Sequence, residues 1–405
     1  RTADTAEIES RSRRPKDPII DCANSRLASL CFQQLSFSHQ RTVCALAYFP
    51  YFPHFPRTVP HTMLPTTRKR CSAYLGLLTA VSLLVQQHRH VEALPGKALT
   101  GSNMNQRLAG MEYAVRGTVV IAADRIAHEL EEKTVEHPFD HILFTNIGNP
   151  QSVGQKPLTW PRQVMALADL PDEVGVDHPL ASQMFPSDAI ERAREIKKAL
   201  GGHGTGAYTH SQGPLGFRKD IATFIENRDG GVKSDPTSIF MSNGASAAIQ
   251  DVLTALIADE NCGVMIPIPQ YPIYSATIDL LGGQKVGYFL DEEKGWDMNL
   301  EELGRALNDA RSKGIKVNSF VLINPGNPTG QVLSKKAVQD IVKFCSENGL
   351  VLLADEVYQE NVYDENAEFY SCKRAAAETG LLDKDAIELV SFHSTSKGLY
   401  GECGR

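Results

Sequence analysis

From about residue 105 onward, hydrophobic and polar positions alternate between helix-like and strand-like segments. The strand-like segments are short and almost continuously apolar, as strands covered on both faces are. Helix-period segments separate them, which is typical of a mostly parallel sheet flanked by helices. The predicted strands are 263–268, 285–289, 319–324, 350–355 and 388–393, and the predicted helices are 217–227, 245–258, 300–313 and 335–348.

The pattern before residue 217 is weaker. Residues 112–122 predict a strand and residues 125–133 a helix. A further helix is predicted up to residue 200, with Asp188 as its cap, because an apolar-periodic run begins there and two glycines end it. Residues 1–62 show no sustained period of either kind.

Composition places the chain among ordinary globular proteins. Its 405 residues are 42% hydrophobic and 22% charged, which excludes a collagen, a coiled coil or a wholly disordered chain. The eight cysteines form no C-x-x-C pair and the 12 histidines no H-E-x-x-H pattern, so we expect no metal site. No strongly basic patch favours nucleic acid, and the longest uncharged apolar run is too short to span a bilayer. We therefore expect a soluble protein without a nucleic-acid or membrane partner.

Charge separates the N-terminal quarter from the rest. Residues 1–91 contain 12 basic and 5 acidic side chains, whereas the remainder contains 29 basic and 43 acidic ones. No acidic residue lies between Asp21 and Glu92. The segment 1–93 is therefore expected to have little regular structure and to be constrained differently from the folded body.

Residues 63–93 have the layout of a targeting segment. Met63 is followed by a basic triplet, an apolar run over 72–85 and a candidate cleavage point, as in a secretory signal peptide. The scarcity of acidic residues is equally typical of a mitochondrial presequence. Our hypothesis is a start near Met63 and delivery to an organelle, mitochondrion or plastid; without that start the protein would be cytoplasmic. An unstructured tail or a mispredicted exon is the alternative.

Polar residues follow the predicted strands, at the sheet edge where ligands bind in open parallel sheets. The segments are PIPQYPIYSA from residue 267, NPGNPTG from 324, LADEVYQ from 353 and SFHSTSKG from 391. Together they resemble the large domain of fold-type-I, class I/II aminotransferases, which depend on pyridoxal 5'-phosphate (PLP). The segments GAY, RDGG and GECG, near residues 208, 229 and 403, resemble the alanine aminotransferase group within that family. The agreement of four separate strand ends makes the resemblance specific.

The resemblance covers roughly residues 105–405. It implies an α/β fold with a mostly parallel central sheet flanked by helices (α/β/α). It also implies an N-terminal arm and part of a small domain over 105–200, and a PLP-binding large domain over 201–405. A homodimer that shares its active sites is expected by the same analogy.

Lys397 and Asp355 are the first two candidate catalytic residues. PLP chemistry requires a lysine amine that forms a Schiff base with the cofactor aldehyde and later shuttles a proton, and Lys397 matches that residue. Without the motif, Lys397 would read as a surface lysine. Asp355 ends an apolar strand, where an unpaired carboxylate is costly, so we expect it to pair with the pyridine nitrogen. The adjacent Glu356 is expected to point to the opposite side and to be solvated or salt-bridged.

Tyr358, the third candidate catalytic residue, and Asn327 resemble the pair that donates hydrogen bonds to the phenolic oxygen of the cofactor. Turn chemistry is the alternative for Asn327, because Asn-Pro-Thr-Gly is a turn signal by itself. Tyr271 resembles the aromatic residue that stacks on the pyridine ring, and simple packing between two prolines is its alternative.

Phosphate binding requires N–H groups at a helix start together with hydroxyls. Gly244, Ala245 and Ser246 are expected to supply the helix start, and Ser394 a second hydroxyl. By the resemblance, Tyr208 reaches the phosphate in the neighbouring subunit, and Arg405 is a candidate phosphate arginine.

One segment also resembles a dinucleotide site. Residues 202–207 fit the pattern G-x-G-x-x-A. They follow a helix rather than a strand, so the context of a Rossmann fingerprint is missing and NAD binding is not expected.

The implied reaction is L-alanine plus 2-oxoglutarate to pyruvate plus L-glutamate, by a ping-pong Schiff-base mechanism. A glutamate–glyoxylate aminotransferase of the same subgroup is the alternative that no residue separates. The sequence ends eight residues after Lys397. The C-terminal small domain, with its arginine for the substrate carboxylate, is therefore expected to be missing, and a truncated, non-catalytic product is the second alternative.

Overall fold

The structure is a computed structural model that describes residues 98–113, 116–202, 204–398 and 400–402. The predicted targeting segment 63–93, Cys403 and Arg405 lie outside the described residues. The chain divides into two units, residues 1–104 and 105–405. In the first unit, residues 98–104 form a turn in which the Asn103 side chain accepts from the Thr100 N–H at 2.7 Å.

The second unit contains a five-stranded sheet in which every neighbouring pair of strands is parallel. The strand order is β2-β1-β3-β4-β5, so the direction of strand addition reverses between β1 and β3. Ligand sites of open α/β sheets lie at such a reversal, beyond the carboxyl ends of the strands. The strands are β1 (Cys262–Ile268), β2 (Gln284–Phe289), β3 (Lys316–Ile323), β4 (Val351–Asp355) and β5 (Leu389–Phe392).

The five strands predicted after residue 217 are all present, with ends that differ by at most three residues from the pattern, and the expected α/β class is confirmed. The helices are α1 (Gln106–Ala109), α2 (Thr118–Glu132), α3 (Thr159–Asp169), α4 (Ala181–Met184), α5 (Ser187–Ala199), α6 (Leu215–Arg228), α7 (Ala245–Leu256), α8 (Ile273–Leu281), α9 (Leu300–Ser312), α10 (Lys335–Asn348) and α11 (Cys372–Glu378). Short 3-10 turns cover Pro150–Val153, Asp172–Val174, Pro236–Ser238 and Glu292–Lys294.

The sheet carries a separate apolar core on each face, because alternate residues of a strand point to opposite sides. In β4, Leu352 and Ala354 belong to the core that α9, α10 and α11 cover. Val351 and Leu353 belong to the other core, which α7 and α8 cover. Both faces of β4 are therefore buried, which explains its continuously apolar sequence.

Residues with a known preference for helix ends cap two of the helices around the sheet. The Ser334 hydroxyl accepts from the Ala337 N–H at the start of α10, and Gly349 ends that helix in the left-handed conformation at φ 63°. At the start of α9, the Asn299 side chain accepts from the Glu301 N–H at 2.8 Å. These local signals fix where both helices begin.

Two predictions in the N-terminal part are wrong. Among the described residues of 112–122 there is no strand, because α2 begins at Thr118. The β-branched Val119 and Ile121 lie exposed on its first turns, and the Ala-, Glu- and Leu-containing sequence that follows favours a helix over their own preference. Asp188 is not the cap of α5. It lies in the first turn after Pro186, and its carboxylate accepts from Trp160 Nε1 at 3.0 Å.

Helices α3 and α5 pack on each other around a small apolar cluster. Its buried members are Val164, Leu167, Val176, Ala189 and Ala193.

Within the part of the chain that the structure describes, no helix combines the length and the apolar character needed to cross a membrane.

Candidate active site

Asp355 lies at the centre of the candidate site, as the last residue of β4. In the sheet register it pairs with Ile323 of β3 on one side and Phe392 of β5 on the other. Its side chain is buried, with 4% of the residue exposed. The predicted site residues of three neighbouring strands are thus brought to one edge of the sheet.

The Asp355 carboxylate is held by neutral donors. The Tyr274 hydroxyl donates to Oδ2 at 2.8 Å, and the Val357 N–H donates to Oδ1 at 3.4 Å. Burial raises the pKa of Asp355 to about 6, and it does so against the lowering effects of the Tyr274 hydroxyl, the Val357 N–H and the charge of Lys397. A nearby cation would stabilise the ionised form of this carboxylate further.

Lys397 lies in the loop after β5, and its ammonium is directed over the Tyr358 ring, 5.6 Å from the ring centroid. Its charge acts on Asp355 across the site. Lys397 is therefore part of the cluster at the strand ends and not a surface lysine.

Asn327 and Tyr358 meet although 31 residues separate them in sequence: Asn327 Nδ2 lies 3.4 Å from the Tyr358 hydroxyl. Asn327 follows β3 and Tyr358 follows β4. The turn after β3 is fixed by a different asparagine, because Asn324 Oδ1 accepts from the Leu333 N–H at 3.0 Å. The Asn327 side chain is thus directed across the site toward Tyr358.

Tyr271 is half-buried between β1 and α8 and packs against the apolar core that contains Ile273. Its hydroxyl lies 2.8 Å from the hydroxyl of Tyr113, with the two rings edge to face. Packing therefore accounts for part of its environment, and stacking on a cofactor ring stays a prediction.

The predicted phosphate residues lie at the start of α7 and in the loop after β5. Gly244 adopts φ 82°, and a Cβ added there would meet open space. The N–H of Gly244 already donates to the Ser242 carbonyl. Of the predicted phosphate donors, the N–H groups of Ala245 and Ser246 therefore remain, and both belong to the first turn of α7, where backbone N–H groups have no partner within the helix. Ser394 Oγ accepts from the Ser396 N–H at 3.2 Å.

The described residues do not test two further predicted phosphate ligands. Tyr208 is fully exposed on the described chain. Arg405 is outside the described residues. Their roles stay predictions.

Two buried contacts were not found from the sequence. Tyr274 was not recognised as the partner of Asp355. It lies three residues after the candidate Tyr271, in the first turn of α8, and that proximity is the signal that could have indicated it. Glu356 was expected to be solvated or salt-bridged; the salt bridge is present and the solvation is not, and only the partners were not found from the sequence. It is only 2% exposed; its Oε1 accepts from the Cys372 N–H at 2.8 Å, and its Oε2 lies 3.7 Å from Arg228 Nη1.

These residues fit PLP. Asp355 is a buried carboxylate whose raised pKa calls for a cation, as a protonated pyridine nitrogen is. The Lys397 amine and the Asn327 amide both lie near the Tyr358 phenol, and these groups suit the aldehyde and phenolic oxygen of the cofactor. A glycine-opened helix start suits its phosphate.

Comparison with known proteins agrees with this geometry. The family model for aminotransferase class I and II matches residues 178–403. The chain is 49% identical over 314 residues to a probable mitochondrial alanine aminotransferase of Dictyostelium discoideum, covering 76% of this chain and 58% of the relative. It is 45% identical over 309 residues to glutamate–glyoxylate aminotransferase 1 of Arabidopsis thaliana, covering 76% of this chain and 62% of the relative.

A solved aminotransferase structure from Escherichia coli shares the fold, with a TM-score of 0.52 and 26% identity over 72% of this chain and 57% of its own. The chain therefore spans somewhat more than half the length of the relatives it matches.

Proposed function

The chain belongs to the class I and II aminotransferases, and we propose that it acts as a PLP-dependent alanine aminotransferase, converting L-alanine and 2-oxoglutarate to pyruvate and L-glutamate. The observation that carries the proposal is the cluster at the strand ends. Buried Asp355, Lys397 and the Asn327–Tyr358 pair converge there from three different strands. Curated relatives at nearly half identity bear the alanine aminotransferase name.

The cofactor, when bound, supplies an electron sink for the bond that breaks at the substrate Cα. The protein residues provide everything around it. The buried Asp355 carboxylate would hold the proton on the pyridine nitrogen, because burial strengthens the attraction between the two charges. The Lys397 amine anchors the cofactor and then carries the proton between substrate atoms.

Asn327 and Tyr358 would orient the cofactor by hydrogen bonds to its phenolic oxygen. Asn327 Nδ2 lies 3.4 Å from the Tyr358 hydroxyl, so the two groups reach the same small region. A donor pair of this kind would favour the ionised form of that oxygen. Tyr271 would pack against the cofactor ring. The N–H groups of Ala245 and Ser246, with the hydroxyl of Ser394, would bind the phosphate.

The active form is proposed to be a homodimer. Tyr208 is fully exposed, which supports a role toward a second subunit rather than toward its own site. The domain assignment is proposed as it was read from the sequence, with arm and small-domain residues over 105–200 and the PLP-binding domain over 201–405. Delivery to a mitochondrion is proposed from the segment 63–93 and from the mitochondrial names among the relatives.

Glutamate–glyoxylate transamination is the second candidate, because relatives of that name are nearly as similar to this chain. The two candidates share the lysine and aspartate chemistry and differ in the preferred substrates. Rates with alanine and 2-oxoglutarate, compared with glutamate and glyoxylate, distinguish them directly.

The central experiment identifies the cofactor lysine. We expect the purified protein to bind PLP with a visible absorption band, and borohydride to fix the cofactor to the peptide that contains Lys397. Lys397→Ala should abolish the amino-acid half-reaction, whereas Lys343→Ala, on the outside of α10, should leave it unchanged. Cofactor recovered on another lysine would refute the proposal.

A further inference from the structure

Lys397 lies in a loop, and a loop does not hold an amine in place by itself. We call residues 393–398, which follow β5, the lysine loop, and residues 356–361, which follow β4, the tyrosine turn. The lysine ammonium and the Tyr358 ring face each other across the gap between these segments. Their separation therefore depends on contacts between the two segments.

Asn361 connects them. Its Oδ1 accepts from the N–H of Gly398, the residue directly after Lys397, at 2.9 Å. Its own N–H donates to the carbonyl of Tyr358 at 2.8 Å. Asn361, which is half-buried, thus contacts the backbone of Tyr358 and the N–H of Gly398, the neighbour of Lys397.

A second observation shows how closely the two segments fit. Gly398 has a φ of +63°, and a Cβ added to it would lie 2.8 Å from Cβ and 3.1 Å from Cγ of Glu360, the neighbour of Asn361. Only a residue without a side chain permits this approach of backbone to turn. The hydrogen bond from Asn361 and the close approach of Glu360 therefore both involve Gly398.

We propose that Asn361 is a positioning residue, which fixes the lysine loop on the tyrosine turn and so sets where the Lys397 amine meets the cofactor. The catalytic part of this inference rests on the proposed function of Lys397, whereas the link between the segments does not. Misplacement of a reacting group by a fraction of an ångström is costly, so a modest contact here has a large kinetic effect.

The test compares variants of the full chain with and without PLP. Asn361→Ala removes the acceptor and Asn361→Asp restores an oxygen in the same place. Tyr363→Phe is the matched control, because the hydroxyl of this largely exposed tyrosine accepts from the other side-chain atom of Asn361, Nδ2, at 2.7 Å. Gly398→Ala leaves Asn361 intact and drives the segments apart.

Hydrogen–deuterium exchange of the lysine loop is the readout that needs no activity. We expect Asn361→Ala and Gly398→Ala to accelerate exchange in residues 393–398 about tenfold, and Asn361→Asp and Tyr363→Phe to remain near wild type. In the loaded enzyme, Asn361→Ala should slow the alanine half-reaction about tenfold, with KM changed less than about twofold.

Unchanged exchange in Asn361→Ala would overturn the link. Faster exchange with a normal half-reaction would overturn the positioning role. An equal loss in Tyr363→Phe would also overturn it, because the effect would then not pass through Oδ1. If wild-type protein carries its cofactor on another lysine, the proposed function fails, and the exchange data still decide the link.

Discussion

Two consecutive acidic residues at the end of β4 lie on opposite faces of the sheet and have different partners. Asp355 lies on the face covered by α7 and α8, where neutral donors hold it and a lysine is the nearby cation. Glu356 lies against α11, where Arg228 approaches it and the Cys372 N–H donates to it. Both are buried, and burial raises both pKa values, to about 6 and about 7 respectively.

The difference is in which cation serves each acid. On the Glu356 face, Arg228 binds both Asp229 oxygens at 2.8 Å, and Ser371 donates to the same carboxylate. The same guanidinium lies 3.7 Å from Glu356 Oε2, an atom without a hydrogen-bond partner among the described residues. On the Asp355 face the nearby charge is Lys397, and the cofactor nitrogen is the cation that we propose for this carboxylate. We infer that one face is built for stability and the other for chemistry, and four measurements test that division.

The largest effect is expected at Asp355. Asp355→Asn keeps the shape and removes the charge, so a cofactor nitrogen should lose its proton and the half-reaction should slow on the order of 10²–10³-fold or more. Stopped-flow measurement with alanine checks this. Glu356→Gln is the matched control on the opposite face and should change the rate less than a few-fold. Equal losses in both variants would abolish the division.

Removal of Arg228 should act on stability instead. Arg228→Met leaves the buried Asp229 and Glu356 carboxylates without their cation, and we expect the free energy of unfolding to fall by about 3 kcal/mol. Urea unfolding at neutral pH measures it. Arg305→Met, which breaks an exposed pair with Glu302, should cost less than about 1 kcal/mol. A loss at Arg228 no greater than the loss at Arg305 would contradict the prediction.

The pH dependence of stability should reveal both acids in the protein without cofactor. Their pKa values are higher when folded than their ordinary values of 3.8 and 4.5, so the folded state holds more protons between about pH 4 and 7. The free energy of unfolding should therefore fall as pH rises through that window, by several kcal/mol for the two acids together. Glu356→Gln should flatten the dependence. If PLP pairs with Asp355, saturation with PLP should flatten it further, and an unchanged slope in the variant would contradict the assignment.

The smallest effect is expected at Tyr274. Tyr274→Phe removes the hydroxyl that holds Asp355 Oδ2, and we expect the half-reaction to slow about five- to tenfold, the value of one buried hydrogen bond. Tyr288→Phe is a matched control, since that buried hydroxyl donates to the Val321 carbonyl away from the site. Both variants should lose similar stability, and only Tyr274→Phe should slow the reaction. Equal rates would show that Asp355 needs no such support.

Much of the fold could be predicted because each signal is local. The strands of the sheet are apolar over their whole length, and caps such as Ser334 and Gly349 mark helix ends in the sequence itself. Where a local signal is ambiguous the prediction failed: Val119 and Ile121 favour a strand by type, but they lie in the first turns of a helix whose later residues decide its conformation.

The candidate site divides in the same way. The sequence alone determined which side chains follow the strands, and parallel strands bring their carboxyl ends to one edge, so the meeting of Asn327, Asp355, Tyr358 and Lys397 followed from the pattern and the resemblance. Only the tertiary structure decided which partners those residues have. Tyr274 donates to Asp355, Arg228 approaches Glu356, and Asn361 accepts from Gly398. Such contacts join segments that are distant in the sequence, as Tyr274 and Asp355 are at 81 residues apart. They depend on helix packing and loop approach, which no local pattern encodes.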